Sequence, residues 1–198
     1  DDWGLAKWKI FLDSPMASKV VEVYGRHEEL YDEEAIELFN SNPHPFRLPN
    51  LQFTSDVEDS KAINIHKGGC IIIAGSGMCN GGRIRHHLLH NLGHAKNHIL
   101  FVGYQAGGTL GRLLVDGVPM VKLFGDEIKV KARRHTIGGL SAHTDQAGLL
   151  EWYANLEKHP RIALVHGEDD SRKALAIALK TRFDIDAYMP QYGESFEI

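Results

Sequence analysis

CIIIAGSGMCNGGRIRHHLLHNLGHAKNHILFVGYQAGGTL, running from Cys70 to Leu110, states one structural plan twice. Cys70-Ile71-Ile72-Ile73-Ala74 is a short apolar run of the kind that forms a buried strand, Gly75 to Gly82 is a glycine-rich turn, and Arg83 to about Leu92 has helical character. Ile99-Leu100-Phe101-Val102 then gives a second strand, and Gly103 to Leu110 a second glycine-rich loop feeding a helix. Strand, loop and helix in immediate repetition predict a parallel sheet with crossover helices, an α/β fold. Gly103 and Gly107 are expected to serve tight turns.

A glycine-rich loop that opens a helix presents free backbone N–H groups and a partial positive charge, a geometry suited to phosphate. Gly75-Ser76-Gly77 with Gly81 also fits a loose dinucleotide pattern. A nicotinamide site expects an acidic residue ending the next strand, ~20 residues on, to hold the ribose. Here that strand ends in Gly103-Tyr104-Gln105, which argues against such a cofactor. His86, His90, His94 and His98 recur every four residues, but Gly93 is placed to end the helix before His94. The simpler expectation for them is a polar helix face.

Downstream, Val118–Leu123 and Glu127–Ile137 read as strands joined by a hairpin turn at Gly125-Asp126. In the second, Ile128, Val130 and Ala132 alternate with Lys129, Lys131 and Arg133, so one face is apolar and the other basic. The basic face either solubilises the strand or carries nucleic-acid phosphates. Residues 136–168, TIGGLSAHTDQAGLLEWYANLEKHPRIALVHGE, then supply two histidines at the ends of elements. His143 lies in a Gly/Ser loop before a helix from about Asp145 to Glu157, capped by Asp145 or Thr144. His166 follows Ile162-Ala163-Leu164-Val165, read as a buried parallel strand, and chemistry in open α/β sheets gathers at such carboxyl ends. Two readings stand side by side: capped surface histidines, or a metal ligand with a proton-transfer group. A helix over Asp169–Arg182, with Leu175, Ile177, Ala178 and Leu179 inward, and strands at Asp184–Met189 and Ser195–Ile198 close the chain.

Upstream, Ser14 as N-cap and Pro15 at the first helical position start a helix with Ala17, Val20, Val21 and Tyr24 on one face. A second helix spans about Asp32 to Asn40, and Pro43, Pro45 and Pro49 force an extended connection. Asp56–Asp59 with Ser60-Lys61-Ala62 reads as a cap, a short helix and a solvated face.

With 198 residues and 43% hydrophobic content the chain can bury a core, as one domain or two small ones. A net charge of −4 excludes a global basic field, so any contact with nucleic acid must be local. Cys70 and Cys79 have no scaffold spacing, and reduced thiols in the cytoplasm are the simplest expectation. No apolar run approaches the ~20 residues of a membrane span. The chain begins at Asp1 amid structured sequence and reads as a piece of something longer.

Ser141–Asp145 (SAHTD) and Leu164–Glu168 (LVHGE) resemble the last two motifs of the β-CASP branch of the metallo-β-lactamase superfamily, which includes metal-dependent RNA nucleases. DSPMA (Asp13–Ala17), AGSGM (Ala74–Met78), GGRIRHHL (Gly81–Leu88) and GYQAGGTLGR (Gly103–Arg112) are similar to other segments of that family. The resemblance implies a parallel-sheet β-CASP portion over residues 1–125, then the returning C-terminal part of a metallo-β-lactamase αββα core over 126–198. It implies a zinc-dependent hydrolase of RNA phosphodiester bonds with two zinc ions, His166 as a metal ligand, and His143 beside the scissile phosphate as general acid or phosphate binder. Ser76, Gly77, Met78 and Ser141 would bind RNA phosphates, Asp145 and Glu168 would orient the imidazoles, and Ser14 either caps its helix or touches substrate.

The His-x-His-x-Asp-His zinc motif of that family is not in these residues, nor is the acidic residue that partners its motif histidine. A catalytic zinc needs at least three protein ligands. The expectation is therefore a metal-dependent ribonuclease as parent, with an N-terminal metallo-β-lactamase half as partner. The chain alone is expected to bind no zinc tightly and to be inactive. Bare apolar surface makes a homodimer an expectation too. Two alternatives of other classes remain: a non-catalytic RNA-processing scaffold subunit, and a nucleotide-binding module using the Gly75–Gly82 loop.

Overall fold

A computed structural model describes residues 7–41, 48–141 and 143–195, together with Gly4 and Phe46. Pro43, Pro45 and the closing strand beyond Ser195 lie outside the described residues. Contacts divide the chain into two units, Asp1–Ile137 and Gly138–Ile198.

The first unit opens with β1 (Lys9–Leu12) and α1 (Pro15–Tyr24). The Ser14 hydroxyl accepts the Ala17 N–H at 3.2 Å and Pro15 sits at the start, so α1 begins where the sequence sets it. A 3₁₀ turn (Glu28–Leu30) leads to α2 (Glu33–Ser41), where Asp32 accepts the Ala35 N–H. Next come β2 (Leu51–Phe53), α3 (Val57–Ile63) capped by Asp56, and β3 (Cys70–Ile73). These strands form one parallel sheet in the order β2-β1-β3, with Leu12 opposite both Phe53 and Ile73.

The apolar run of β3 was expected to be buried on both faces. Ile71 and Ile73 are instead exposed while Cys70 and Ile72 are partly covered, so its burial alternates as in a one-sided sheet. The expected apolar face of α1 is open as well, with Val20 and Tyr24 exposed.

The main apolar core lies further along. It is built by α4 (Ile84–Asn91), β4 (His98–Phe101), α5 (Leu110–Val115) and the hairpin of β5 (Met120–Leu123) with β6 (Asp126–Lys129). Leu88, Leu92, Phe101, Leu114, Val121 and Leu123 fill it, with Cys79 from the first glycine loop. The hairpin turns on Phe124 and Gly125, both at positive φ, one residue earlier than the expected Gly125-Asp126. That pair of left-handed residues matches the tight turn that suits strand twist.

Residues 127–137 were expected to be one strand. They form β6 and then β7 (Arg133–Thr136), which leaves the hairpin and pairs in parallel with β4. The break falls where the N–H groups of Lys131 and Ala132 both donate to the Leu92 carbonyl, at 2.8 and 3.0 Å. An orphan carbonyl at the end of α4 is thereby satisfied by passing chain. Among the described residues β3 and β4 do not pair, so the two strand–loop–helix repeats lie in separate sheets.

The second unit holds α6 (Gln146–Ala154), capped by Asp145, and α7 (Asp169–Phe183). The strands expected at 162–165 and 184–189 reduce to one parallel bridge, Ala163 with Tyr188, bounded by Leu164 N–H to Tyr188 O (2.7 Å) and Tyr188 N–H to Ile162 O (2.8 Å). Tyr153 is the buried centre, its hydroxyl on the Pro160 carbonyl and its ring beside His159 and Phe183. Leu175, Ala178 and Leu179 turn inward on α7 as expected, whereas Ile177 is 67% exposed. No helix among the described residues is long and apolar enough to cross a membrane.

Candidate functional site

Parallel strands place their carboxyl ends, and whatever follows them, on one edge of the sheet, where α/β folds bind ligands. Asp13 follows β1, Thr54 follows β2, and the glycine-rich loop follows β3. The ladder continues past the strands: the Asp13 N–H donates to Ile73 O at 2.8 Å, and the Thr54 N–H to Leu12 O at 3.2 Å. Asp13 is 0% exposed, yet each carboxylate oxygen takes two donors. Oδ1 accepts from Thr54 Oγ1 and Arg83 Nη1, both at 2.6 Å. Oδ2 accepts from Ser60 Oγ at 2.7 Å and His87 Nε2 at 2.6 Å.

Burial alone would raise the Asp13 carboxyl. The hydrogen bonds from Thr54, Ser60, His87 and Arg83 outweigh it and hold the pKa at about 2, below the ordinary 3.8. An ionised carboxylate can only accept, so the buried His87 presents Nε2–H to it. His87 Nδ1 is buried and has no partner among the described residues. Arg83 extends the clamp with Nη1 on the Thr54 carbonyl (3.1 Å) and Nη2 on the Ser55 carbonyl (2.9 Å). One carboxylate therefore joins the ends of β1 and β2, helix α3 and the first turn of α4.

This cluster has no counterpart in the sequence reading. In the sequence Asp13 stands out only in the Asp13–Ala17 segment, Ser60 reads as part of a solvated face, and His87 falls outside the every-fourth-residue histidine pattern. The usable signal was an acidic residue directly after an apolar strand, an expensive position unless donors surround it.

The Gly75–Gly82 loop begins beside this cluster and is closed on itself. The Ser76 N–H donates to Gly81 O (3.2 Å), the Gly81 N–H to Ser76 Oγ (3.3 Å), and the Cys79 N–H to Ser76 O (3.1 Å). Among the described residues the amides of Gly77 and Met78 have no partner, whereas the Ser76 amide is committed within the loop. The two glycine loops are also latched together. Gly111 N–H donates to Met78 O (3.0 Å), Leu110 N–H to Asn80 Oδ1 (3.0 Å), and Ala106 N–H to Met78 Sδ (3.3 Å).

Gly82 is the residue this loop cannot exchange. Its φ is +72°, and a Cβ would stand 2.5 Å from Gly75 O and 3.0 Å from Ser76 N, both backbone atoms. Gly82→Ala is expected to cost about 2–3 kcal/mol, since the left-handed conformation alone costs about 1–2. Gly77, whose Cβ would meet nothing within 4 Å, is the control. Urea unfolding that ranks the two alanine variants as equals would refute this account of the loop.

His143 and His166 both belong to the second unit and are both exposed. The His143 main-chain N–H donates to Ser141 Oγ at 3.2 Å. Asp145 serves as cap of α6, its Oδ1 accepting the Gly148 N–H at 2.8 Å. His166 has φ +59° and follows the Ala163 bridge, with Glu168 at the N-cap position of α7. No hydrogen bond joins the two imidazoles among the described residues. Nor is any group of three His, Cys, Asp or Glu side chains there arranged to hold a metal ion. The donors among the described residues do not by themselves fit a complete catalytic zinc site. His86 and His90 lie in α4, whereas His94 follows that helix and His98 opens β4, so the four do not share one helix face; His86 stacks on Phe124, and His98 hydrogen-bonds His135.

Comparison with known proteins supplies the context. Residues 1–114 match the Beta-Casp domain, and residues 127–190 match the Zn-dependent metallo-hydrolase RNA specificity domain. The chain is 39% identical over 194 residues to Ribonuclease TTHA0252 of Thermus thermophilus, covering 98% of the chain and 44% of the relative. It is 30% identical over 204 residues to the Transcription termination factor FttA of Cenarchaeum symbiosum, covering 98% of the chain and 31% of that relative. The FttA of Methanocaldococcus jannaschii is 28% identical over 202 residues, with 98% and 32% covered. The chain thus spans less than half the length of these curated relatives.

Proposed function

Because the chain belongs to the Beta-Casp family, a branch of the metallo-β-lactamase superfamily, we propose that it is the C-terminal portion of a metal-dependent ribonuclease that hydrolyses RNA phosphodiester bonds. The observation that carries this reading is the succession, in one chain, of a Beta-Casp match and a Zn-dependent metallo-hydrolase RNA specificity match. In the proposal, residues 1–125 are the end of the Beta-Casp domain and 126–198 the returning segment of the metallo-β-lactamase domain.

Phosphodiester hydrolysis needs an aligned nucleophile, relief of charge on the phosphoryl oxygens and a proton for the leaving oxygen. Among the described residues the unpartnered amides of Gly77 and Met78 are suited to a phosphate oxygen, and the Ser141 hydroxyl is a further donor; the Ser76 hydroxyl donates to Gly81 O at 3.2 Å and reaches a phosphate only by giving up that bond. His143 is assigned to the scissile phosphate, where an imidazole donates a proton or a hydrogen bond. His166 is assigned as one ligand of a zinc ion, whose chemistry is to supply hydroxide at neutral pH. Asp145 and Glu168 are assigned to steady the two imidazoles. A cytoplasmic site of action accompanies the reading, with Cys70 and Cys79 as free thiols.

The test sets the 198-residue chain against the full-length protein in metal analysis and cleavage of a fluorescent RNA. Full-length protein is expected to hold zinc stoichiometrically and to cut; the chain alone is expected to do neither. Zinc and turnover in the isolated chain would overturn its assigned dependence on the other half. Full-length protein that binds RNA and zinc without cutting would favour a scaffold. Micromolar binding of NAD or ATP would favour the nucleotide module.

A further inference from the structure

The net charge of −4 conceals a strong segregation. Residues 83–136 hold nine of the 22 Lys and Arg and three of the 26 Asp and Glu. Part of this excess is spent: Arg83 clamps Asp13, and Arg112 pairs with Asp116 at 2.8 Å. Lys129, Lys131 and Arg133 are different. All are exposed, and none enters an ion pair among the described residues.

The three cluster around the corner between β6 and β7. From Glu127 to Arg133 exposure alternates without a slip: Ile128, Val130 and Ala132 are covered, and the residues between them face solvent. The hydrogen-bond partner changes twice along this stretch, from β5 to the Leu92 carbonyl to β4, yet Lys129, Lys131 and Arg133 all stay exposed. The chain bends at Ala132, so Lys129 and Lys131 lie on one side of the corner and Arg133 on the other, three cations within five residues. The stretch opens at Glu127, which faces Lys122 across the hairpin. It ends at His135, whose ring centroid lies 5.0 Å from that of His98 with the planes 11° apart, and Nδ1 of His98 is 2.8 Å from Nε2 of His135. The 2.8 Å contact joins ring edges, so the two imidazoles lie side by side and nearly coplanar; both are exposed, and open ring faces beside cations suit an unpaired base next to its phosphates.

We propose that Lys129, Lys131 and Arg133, with the His98–His135 pair beside them, form a contact surface for single-stranded RNA separate from the glycine loops. The occupant is RNA because exposed, unpaired cations adjoin open imidazole faces; an acidic protein segment would use the first and not the second. This rests on the proposed function in taking RNA as the ligand.

The test uses full-length protein and a fluorescein-labelled oligouridylate of about 20 nucleotides, read by anisotropy in EDTA so that cleavage plays no part. Each phosphate contact on a single strand adds about 0.7 to the slope of log affinity against log salt. The Lys129→Gln, Lys131→Gln, Arg133→Gln variant should therefore lose about 2 from that slope, and at least about tenfold in affinity near 0.1 M salt. Lys129→Arg, Lys131→Arg, Arg133→Lys should restore both, and His135→Ala should weaken binding without changing the slope. A glutamine variant with unchanged slope overturns the proposal, as does one that binds RNA normally but has lost binding to polyglutamate. Wild-type protein that shows the salt slope but never cuts RNA with metal sinks the nuclease reading and leaves this one standing.

Discussion

Asp13→Asn is expected to destabilise the protein by about 3–5 kcal/mol at neutral pH, the range for removing one partner of a buried ion pair. The carboxylate is fully buried and is the only anion bonded to Arg83 and His87 among the described residues. An amide keeps the shape but carries no charge and offers one acceptor oxygen where the carboxylate offered two. The guanidinium and the imidazole then stay buried against a group that competes with them as a donor. Arg83→Met combined with Asp13→Asn should recover part of the loss, because removing both members of a buried pair costs less than removing one.

The same residue sets an acid limb. Its folded pKa of about 2 lies below the unfolded value near 3.8, so its stabilisation is complete above the unfolded value and disappears as pH falls through the folded one. That amounts to about 2 kcal/mol lost between roughly pH 5 and pH 2. Urea midpoints measured across this window should fall in wild type and run flatter in Asp13→Asn. Parallel curves would show that the carboxylate does not carry the charge assigned to it.

What made this cluster invisible in the sequence is distance. His87 lies 74 positions from Asp13, and nothing local at either residue announces the other. Signals that act within one turn were legible: Ser14, Asp56 and Asp145 were each read in a capping segment, and each accepts a main-chain N–H three residues on. Alternation from Glu127 to Arg133 also told truly which side chains face out. It could not tell which neighbour each residue bonds, because the period of a strand records orientation and not partners. One expected strand therefore became two, at the Leu92 carbonyl. The same limit applies to β3, whose apolar run suggested cover on both faces where the described residues cover one.

His143 and His166 should separate cleanly by what each substitution removes. In full-length protein, His143→Ala is expected to keep its zinc and lose about 10²- to 10⁴-fold in kcat, the usual contribution of a placed acid or base. The loop around it should survive, because the bond to Ser141 Oγ comes from the main-chain N–H, which alanine retains. His166 needs a different replacement. It holds φ +59°, a conformation in which asparagine is far less strained than alanine. His166→Asn should therefore preserve the backbone while lowering zinc content and cleavage together. Both rings are exposed, so each variant should unfold within about 0.5 kcal/mol of wild type, as surface changes do. Activity lost at constant stability is then chemical in origin, and metal content assigns it to binding or to proton transfer. If His143→Ala turns over at the wild-type rate, or His166→Asn retains all its zinc, the corresponding role is wrong and that histidine is a surface residue at the end of its element.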